Sequence, residues 1–143
     1  MPPATMPPAP IDAYRILIFD DEPEMCEVAR DQILALPHSD GIYVEFAYTG
    51  SVAVDRVRKT VFDLILLDLF KFKELIGYEV FRRLNELGCS TEVILMTKFD
   101  LDPAIKPLMR AIASQGELRV VSFLDKRESR QSRSIRHEVG KRY

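Results

Sequence analysis

The sequence predicts an α/β domain: a doubly wound, five-stranded parallel sheet with helices on both faces. Three observations carry this expectation. Residues 15–19 (RILIF), 63–67 (DLILL) and 92–96 (EVILM) are short, continuously apolar runs, as expected of strands covered on both faces. Between such runs lie longer segments with apolar residues at helical spacing. The two kinds alternate along the chain, and strands joined by helical crossovers pair in parallel.

The elements follow in order. After the first strand, residues 22–36 carry Met25, Val28, Ala29, Ile33 and Leu36 at helical spacing. Pro23 falls in the first turn, where a missing N–H costs little, and Pro37 stops the helix. Residues 42–47 alternate as a second strand, and 51–59 form a helix with Val52, Ala53 and Val57 on one face. The third strand, 63–67, is the most apolar. A helix over 78–87 ends at Gly88, and 92–96 is the fourth strand. A helix over 103–115 requires Pro107 in its first turn or at a kink. Residues 118–123 (LRVVSF) make the fifth strand. Beyond Lys126 the apolar stripe shrinks to Ile135 and Val139, which predicts a thinly packed, frayed helix or a linker.

At 143 residues, 47% apolar and 29% charged, the chain suits one globular domain with a real core. The expected organisation is a disordered Pro-rich leader (1–13), the domain (14–127) and a basic C-terminal helix or linker (128–143). The net charge of −2 is unevenly spread: residues 126–143 carry +5, which leaves −7 for the rest. No apolar run approaches the roughly 20 residues of a membrane helix, and no secretory signal pattern opens the chain. The expected location is the cytoplasm, without membrane contact. Cys26 and Cys89 lack a CxxC pattern or a histidine cluster and read as free thiols, although a disulfide between them stays open on paper.

In a doubly wound sheet, functional groups gather beyond the carboxyl ends of the strands. Asp20 and Asp21 follow the first strand, Asp68 closes the third, Thr97 closes the fourth and Lys126 follows the fifth. Two carboxylates about 4 Å apart repel by roughly 4 kcal/mol at an effective dielectric near 20. Three at one rim need a cation, or one keeps its proton. Hard oxygen ligands with open positions favour Mg²⁺, which recruits phosphate oxygens and leaves a carboxylate free to act as a nucleophile. Lysine adds a positive charge on the same oxygens, and threonine a hydrogen bond.

From residue 15 to about 127 the sequence resembles the receiver domains of two-component response regulators. The matching pieces are FDDE (19–22), LILLDLF (64–70), ILMTK (94–98) and SFLDK (122–126). The resemblance implies the flavodoxin-like receiver fold, with Asp68 as phosphoacceptor. Asp21 and Asp68 become direct Mg²⁺ ligands, Asp20 a ligand through water, and the Phe70 backbone carbonyl completes the protein's share. Thr97 takes the part of the switch hydroxyl, Lys126 of the phosphate-pairing lysine and Phe123 of the rotating aromatic. The implied partners are a sensor histidine kinase or phosphotransfer protein, and a downstream protein or output domain. The latter would read the face formed by the helix at 103–115 and the fifth strand; homodimerisation is left open. Such a domain is not an enzyme beyond its own phosphorylation and dephosphorylation.

Four features depart from the family pattern. Residues 71–77 (KFKELIG) lack the usual proline and run one residue longer, Lys98 replaces a small residue, and the span 97–126 is enlarged. The usual Lys-Pro bond becomes Lys126-Arg127, which predicts a trans peptide, since cis without proline costs about 3 kcal/mol. These departures favour an alternative, a degenerate receiver acting as a phosphorylation-independent interaction module. A metal-dependent phosphohydrolase is a third reading, opposed by the lack of an Asp-x-Asp motif.

Taken singly, each residue has a plainer reading. Asp20-Asp21 can cap a helix, Asp68 can sit in a turn, Thr97 can simply favour a strand, Lys126 can be a solvated charge, and Phe123 can be core. The convergence of the acidic residues with Lys126 argues against that for Asp20, Asp21 and Asp68; for Thr97 and Phe123 both readings stay open. Lys71, Lys73, Lys98, His38 and His137 read as surface residues. Only 17 residues follow Lys126, too few for a helix-turn-helix domain, so nucleic acid is not an expected partner of this chain.

Overall fold

A computed structural model describes residues 12–68, 76–97, 118–125 and 131–143, with 107, 110, 111 and 114 between them; for 76, 97, 122–125 and 131–134 it describes the backbone alone. Its strands are β1 (Tyr14–Phe19), β2 (Ile42–Ala47), β3 (Leu64–Asp68), β4 (Glu92–Thr97) and β5 (Arg119–Asp125). They pair in the order β2-β1-β3-β4-β5, every pair parallel. The helices are α1 (Pro23–Leu34), α2 (Gly50–Lys59), α3 (Ile76–Glu86) and a C-terminal α4 (Gln131–Arg142). This is the doubly wound α/β fold that the alternation predicts. Of the helix expected over 103–115, the described residues Pro107, Arg110 and Ala111 are helical.

The two-residue period of the strands divides the core. Leu17, Phe19, Ile65 and Leu67 pack under α2 and α3, with Val80, Phe81 and Leu84 from the latter. Ile16, Ile18, Leu64 and Leu66 point the other way and meet Cys26, Ala29 and Ile33 of α1 and Ile135 and Val139 of α4. Alternate residues of one strand thus serve opposite layers, which is why these strands read as unbroken apolar runs.

Several boundaries and faces differ from the sequence expectation. Pro23 opens α1 as expected, but the helix stops at Leu34, two residues short of 36. Its buried face is Cys26, Ala29 and Ile33, and Val28 is 48% exposed rather than in the core. On α2 the buried pair is Ala53 and Val54; Val52 turns outward and Val57 is half-buried. Both shifts have one cause: the three-to-four-residue period offers neighbouring faces, and the rotation that packs best on the sheet wins. The third strand runs one residue later than the 63–67 range, with Asp68 closing it as expected, and the fifth ends at Asp125. Gly88 does close α3, with a φ of 74°. The Gly88 N–H donates to the Asn85 carbonyl and that of Cys89 to Leu84, both at the reversal that only a left-handed residue permits.

The C-terminal segment is a docked helix, not the frayed helix or linker that its two apolar residues suggested. Ile135 is 4% exposed and Val139 fully buried. Each contributes roughly 1.5–3 kcal/mol by burial. Polar contacts then fix the last turn. Arg142 Nε donates to Glu92 Oε2 at 3.0 Å, and its NH1 donates to the Glu138 carboxylate (3.0 Å) and carbonyl (2.8 Å). Tyr143 donates its hydroxyl to the His38 carbonyl at 2.6 Å and tilts against Tyr14, ring centroids 5.5 Å apart. His38 presents that carbonyl from a left-handed conformation, φ 62°. Burial and the nearby charges of Glu92 and Asp63 push the Tyr14 phenol up to about 12, against the opposing pull of Arg142.

Gly41 makes room for this latch, since a Cβ there would fall 2.3 Å from Tyr143 Oη. Gly41→Ala should therefore expel the Tyr143 ring and cost about 1–2 kcal/mol, the value of one hydrogen bond and an aromatic contact. In a Tyr143→Ala background the same substitution should cost almost nothing. Urea denaturation of the four variants checks this, and equal costs in both backgrounds would refute the latch.

Candidate functional site

The sheet order creates a crevice at one point. β1 pairs with β2 on one side and β3 on the other, so the connections diverge beyond the carboxyl ends of β1 and β3. Phe19 is in register with Leu67, which sets Asp20 beside Asp68. The carboxylates of Asp20, Asp21 and Asp68 converge there, with one oxygen from each lying within 4.8 Å of the others. Asp20 and Asp68 are almost wholly buried (1% and 3% exposed), while Asp21 opens to solvent.

Asp20 is held from three directions. Its N–H donates to the Ala47 carbonyl at 3.1 Å, tying it to the end of β2. Its Oδ1 accepts from the Glu22 N–H at 3.0 Å, closing a turn into α1. Its carbonyl accepts from Cys26 Sγ at 3.5 Å. Glu22 and Cys26 were not singled out by sequence reasoning as parts of this site. The available signal was their spacing: Cys26 lies one turn beyond Glu22, on the buried face of the helix that the Asp pair opens. The positive end of α1 also faces the acidic group.

Of the other expected site residues, the Thr97 backbone ends β4 opposite Asp125, one position beyond the Asp68–Met96 pairing. The Phe123 backbone lies in β5 opposite Leu95. The side chains of Thr97 and Phe123 lie outside the described residues, as do Phe70, Lys71, Lys73, Lys98, Lys126 and Arg127. The expected trans peptide at 126–127 therefore also falls outside them. His38 and His137 are exposed as expected, and Cys26 and Cys89 are free. No helix among the described residues is long and apolar enough to cross a membrane.

Three clustered carboxylates are a hard, all-oxygen donor set. They suit a divalent cation such as Mg²⁺, which takes one or two protein carboxylates and keeps its remaining positions for water and phosphate oxygens. They do not suit a nitrogen- or sulfur-seeking metal, and the neighbouring Cys26 sulfur is directed at a backbone carbonyl.

The family model described as "Response regulator receiver domain" matches residues 16–130. The chain belongs to this family. It is a receiver domain of the two-component response-regulator type. Among curated relatives, the transcriptional regulatory protein ZraR of Klebsiella oxytoca is 32% identical over 94 residues, 65% of this chain and 20% of that protein. The transcriptional regulatory protein DltR of Streptococcus agalactiae is 31% identical over 83 residues, 58% of this chain and 35% of that protein. The receiver domain thus matches about a fifth to a third of the length of these relatives.

Solved structures share the fold. The chemotaxis protein CheY4 of Vibrio cholerae superposes with a TM-score of 0.70 at 17% identity, covering 92% of this chain and 99% of that one. The response regulator TrrA of Thermotoga maritima, solved in complex with Mg²⁺-BeF, gives 0.65 at 20% identity, covering 90% and 98%.

Proposed function

We propose that this receiver domain accepts a phosphoryl group on Asp68 in an Mg²⁺-dependent reaction and signals by a phosphorylation-dependent change in what it binds. The observation that carries this reading is the convergence of Asp20, Asp21 and Asp68 within 4.8 Å at the sheet's switch point. Asp21 and Asp68 would hold the cation directly, Asp20 through water, and the Phe70 carbonyl would complete the protein's ligands. When bound, Mg²⁺ supplies positive charge for the phosphoryl oxygens.

The chain's own residues do the rest. The Asp68 carboxylate oxygen forms a new P–O bond as the donor's P–N bond breaks, and the departing imidazole leaves with the electron pair. Burial keeps bulk water from Asp68, and the turn at Glu22 holds Asp20 in place. Lys126 and Thr97 would then contact the phosphoryl oxygens, and Phe123 would follow Thr97. The donor is a phosphohistidine on a sensor kinase or phosphotransfer protein in the cytoplasm. The reader is an output domain or partner at the face made by residues 103–115 and β5. Catalysis is confined to the domain's own phosphorylation and dephosphorylation.

Incubation with Mg²⁺ and a small phosphodonor, such as acetyl phosphate, should add one phosphoryl mass to the intact chain. Asp68→Ala or chelation of the metal should abolish the addition. An unmodified wild-type chain under forcing conditions would overturn the proposal in favour of a receiver that no longer switches.

A further inference from the structure

An open cavity of about 410 Å³ lies at the opposite end of the sheet from the acidic pocket. Its walls are the C-terminal ends of α2 and α3 and the loops that lead into β3 and β4. The way α2 ends creates it. Thr60 is extended, and the residues after it part company: Phe62 turns into the core while Val61 stays outside, 84% exposed. Thr91 ties the two loops together at the back. Its hydroxyl donates to the Phe62 carbonyl at 3.3 Å and accepts from the Cys89 thiol at 3.2 Å. Carbonyls at both helix ends are answered as well, that of Arg56 by the Thr60 N–H and those of Leu84 and Asn85 by the Cys89 and Gly88 N–H groups. The walls are thus held in place without a ligand, which lowers the cost of binding one.

The lining divides by chemistry. Val57, Val61 and Leu87 form an apolar side, and Leu87 is 41% exposed. Arg58, Thr60 and Ser90 bring a guanidinium and two hydroxyls, and no described carboxylate lines the cavity. The acidic residues nearest in sequence are engaged elsewhere. Asp55 pairs with Lys59 at 3.0 Å, Asp63 accepts from the Arg15 N–H at 2.8 Å, and Glu86 pairs with Arg82. Arg58 is left without an ion pair among the described residues.

We propose that this cavity binds a small amphipathic monocarboxylate. The carboxylate meets Arg58 and the neighbouring hydroxyls, and the apolar chain covers Val57, Val61 and Leu87. The volume falls within the roughly 300–1,000 Å³ of small-molecule sites. At roughly 30 Å³ per water-sized atom, it has room for about a dozen heavy atoms. Charge decides the head group: a guanidinium pairs with a carboxylate through two parallel hydrogen bonds and repels a cation. Nucleic acid is a poorer fit, because its affinity comes from many phosphate contacts and the cavity offers one guanidinium. The five residues of β3 separate the cavity from Asp68 by roughly 16 Å at about 3.3 Å per residue, so the inference does not depend on phosphorylation.

Decanoate is a suitable probe, and Cys89 a built-in reporter. Cys89 lines the cavity and Cys26 is fully buried, so iodoacetamide acting on the folded chain reads Cys89. Saturating decanoate should slow that alkylation by at least about fivefold, measured by intact mass, because the occupied cavity shields the thiol. Calorimetric titration should return the same affinity, and decylamine should not bind. Arg58→Glu should weaken decanoate by at least about tenfold, the worth of a charged hydrogen bond, and should admit decylamine instead. Val61→Asp should also weaken decanoate. Both side chains are exposed, so neither variant should melt lower than the wild type. Absence of decanoate binding at millimolar concentration by both measurements would overturn the proposal. So would equal binding of decylamine, affinity unchanged in either variant, or Arg58-dependent binding to anionic vesicles by a chain that does not take up free decanoate.

Discussion

Asp68→Asn is expected to raise the thermal stability of the cation-free domain and to erase most of the stabilisation that Mg²⁺ gives the wild type. Carboxylate oxygens of Asp20, Asp21 and Asp68 lie no more than 4.8 Å apart, and one such pair repels by about 3 kcal/mol at an effective dielectric near 20. Two of the three are almost wholly buried, so solvent screens them poorly. Asparagine keeps the size of the side chain and removes its charge. The expected gain is about 1–3 kcal/mol, a rise in melting temperature on the order of 5 °C.

In the wild type, Mg²⁺ at a hundred times its dissociation constant should add about 2.7 kcal/mol. The asparagine variant should gain far less, having lost a charged ligand. Thermal melts of both proteins in chelator and in saturating Mg²⁺ provide the check. A variant that melts lower in chelator, or equal Mg²⁺ stabilisation of both proteins, would count against a shared cation site.

The second large effect is expected far from the acidic pocket. Val139→Asp should destabilise the domain by roughly 4 kcal/mol or more, because it buries a charge among apolar side chains. Val139 is fully buried in the cluster that contains Ile16, Ile18, Leu64 and Leu66, so the damage reaches the central strands. An aspartate at His137, exposed on the same helix, should cost less than about 0.5 kcal/mol. Urea denaturation of the two variants distinguishes a docked helix from a tail. Loss of under about 1 kcal/mol from Val139→Asp would mean that α4 does not belong to the core.

That contrast shows where sequence reasoning reached its limit. Ile135 and Val139 alone looked too few to dock a helix, because hydrophobic spacing measures the helix and not the surface that receives it. Here the receiving surface is already formed by α1 and the sheet, and the Arg142–Glu92 and Tyr143–His38 contacts fix the last turn. Those pairs lie 50 and 105 residues apart, so no local pattern announces them. The outward turns of Val28 and Val52 have the same origin. An apolar residue beside a helix's buried stripe is inside or outside according to a small rotation of the helix on the sheet.

The sequence by itself determined the alternation of strand and helix, the strand centres and the three aspartates of the candidate site. Strand runs and helical spacing are local, and a carboxylate after an apolar run sits at the strand's carboxyl end whichever strands become neighbours. Only the tertiary structure decided that β1 lies between β2 and β3, because pairing is a contest among distant segments. That order brings Asp20 level with Asp68 and turns acidic residues 48 positions apart into one pocket. The Glu22 N–H and the Cys26 thiol, by contrast, reach Asp20 across two and six residues of chain, so their support is local and belongs to the turn into α1.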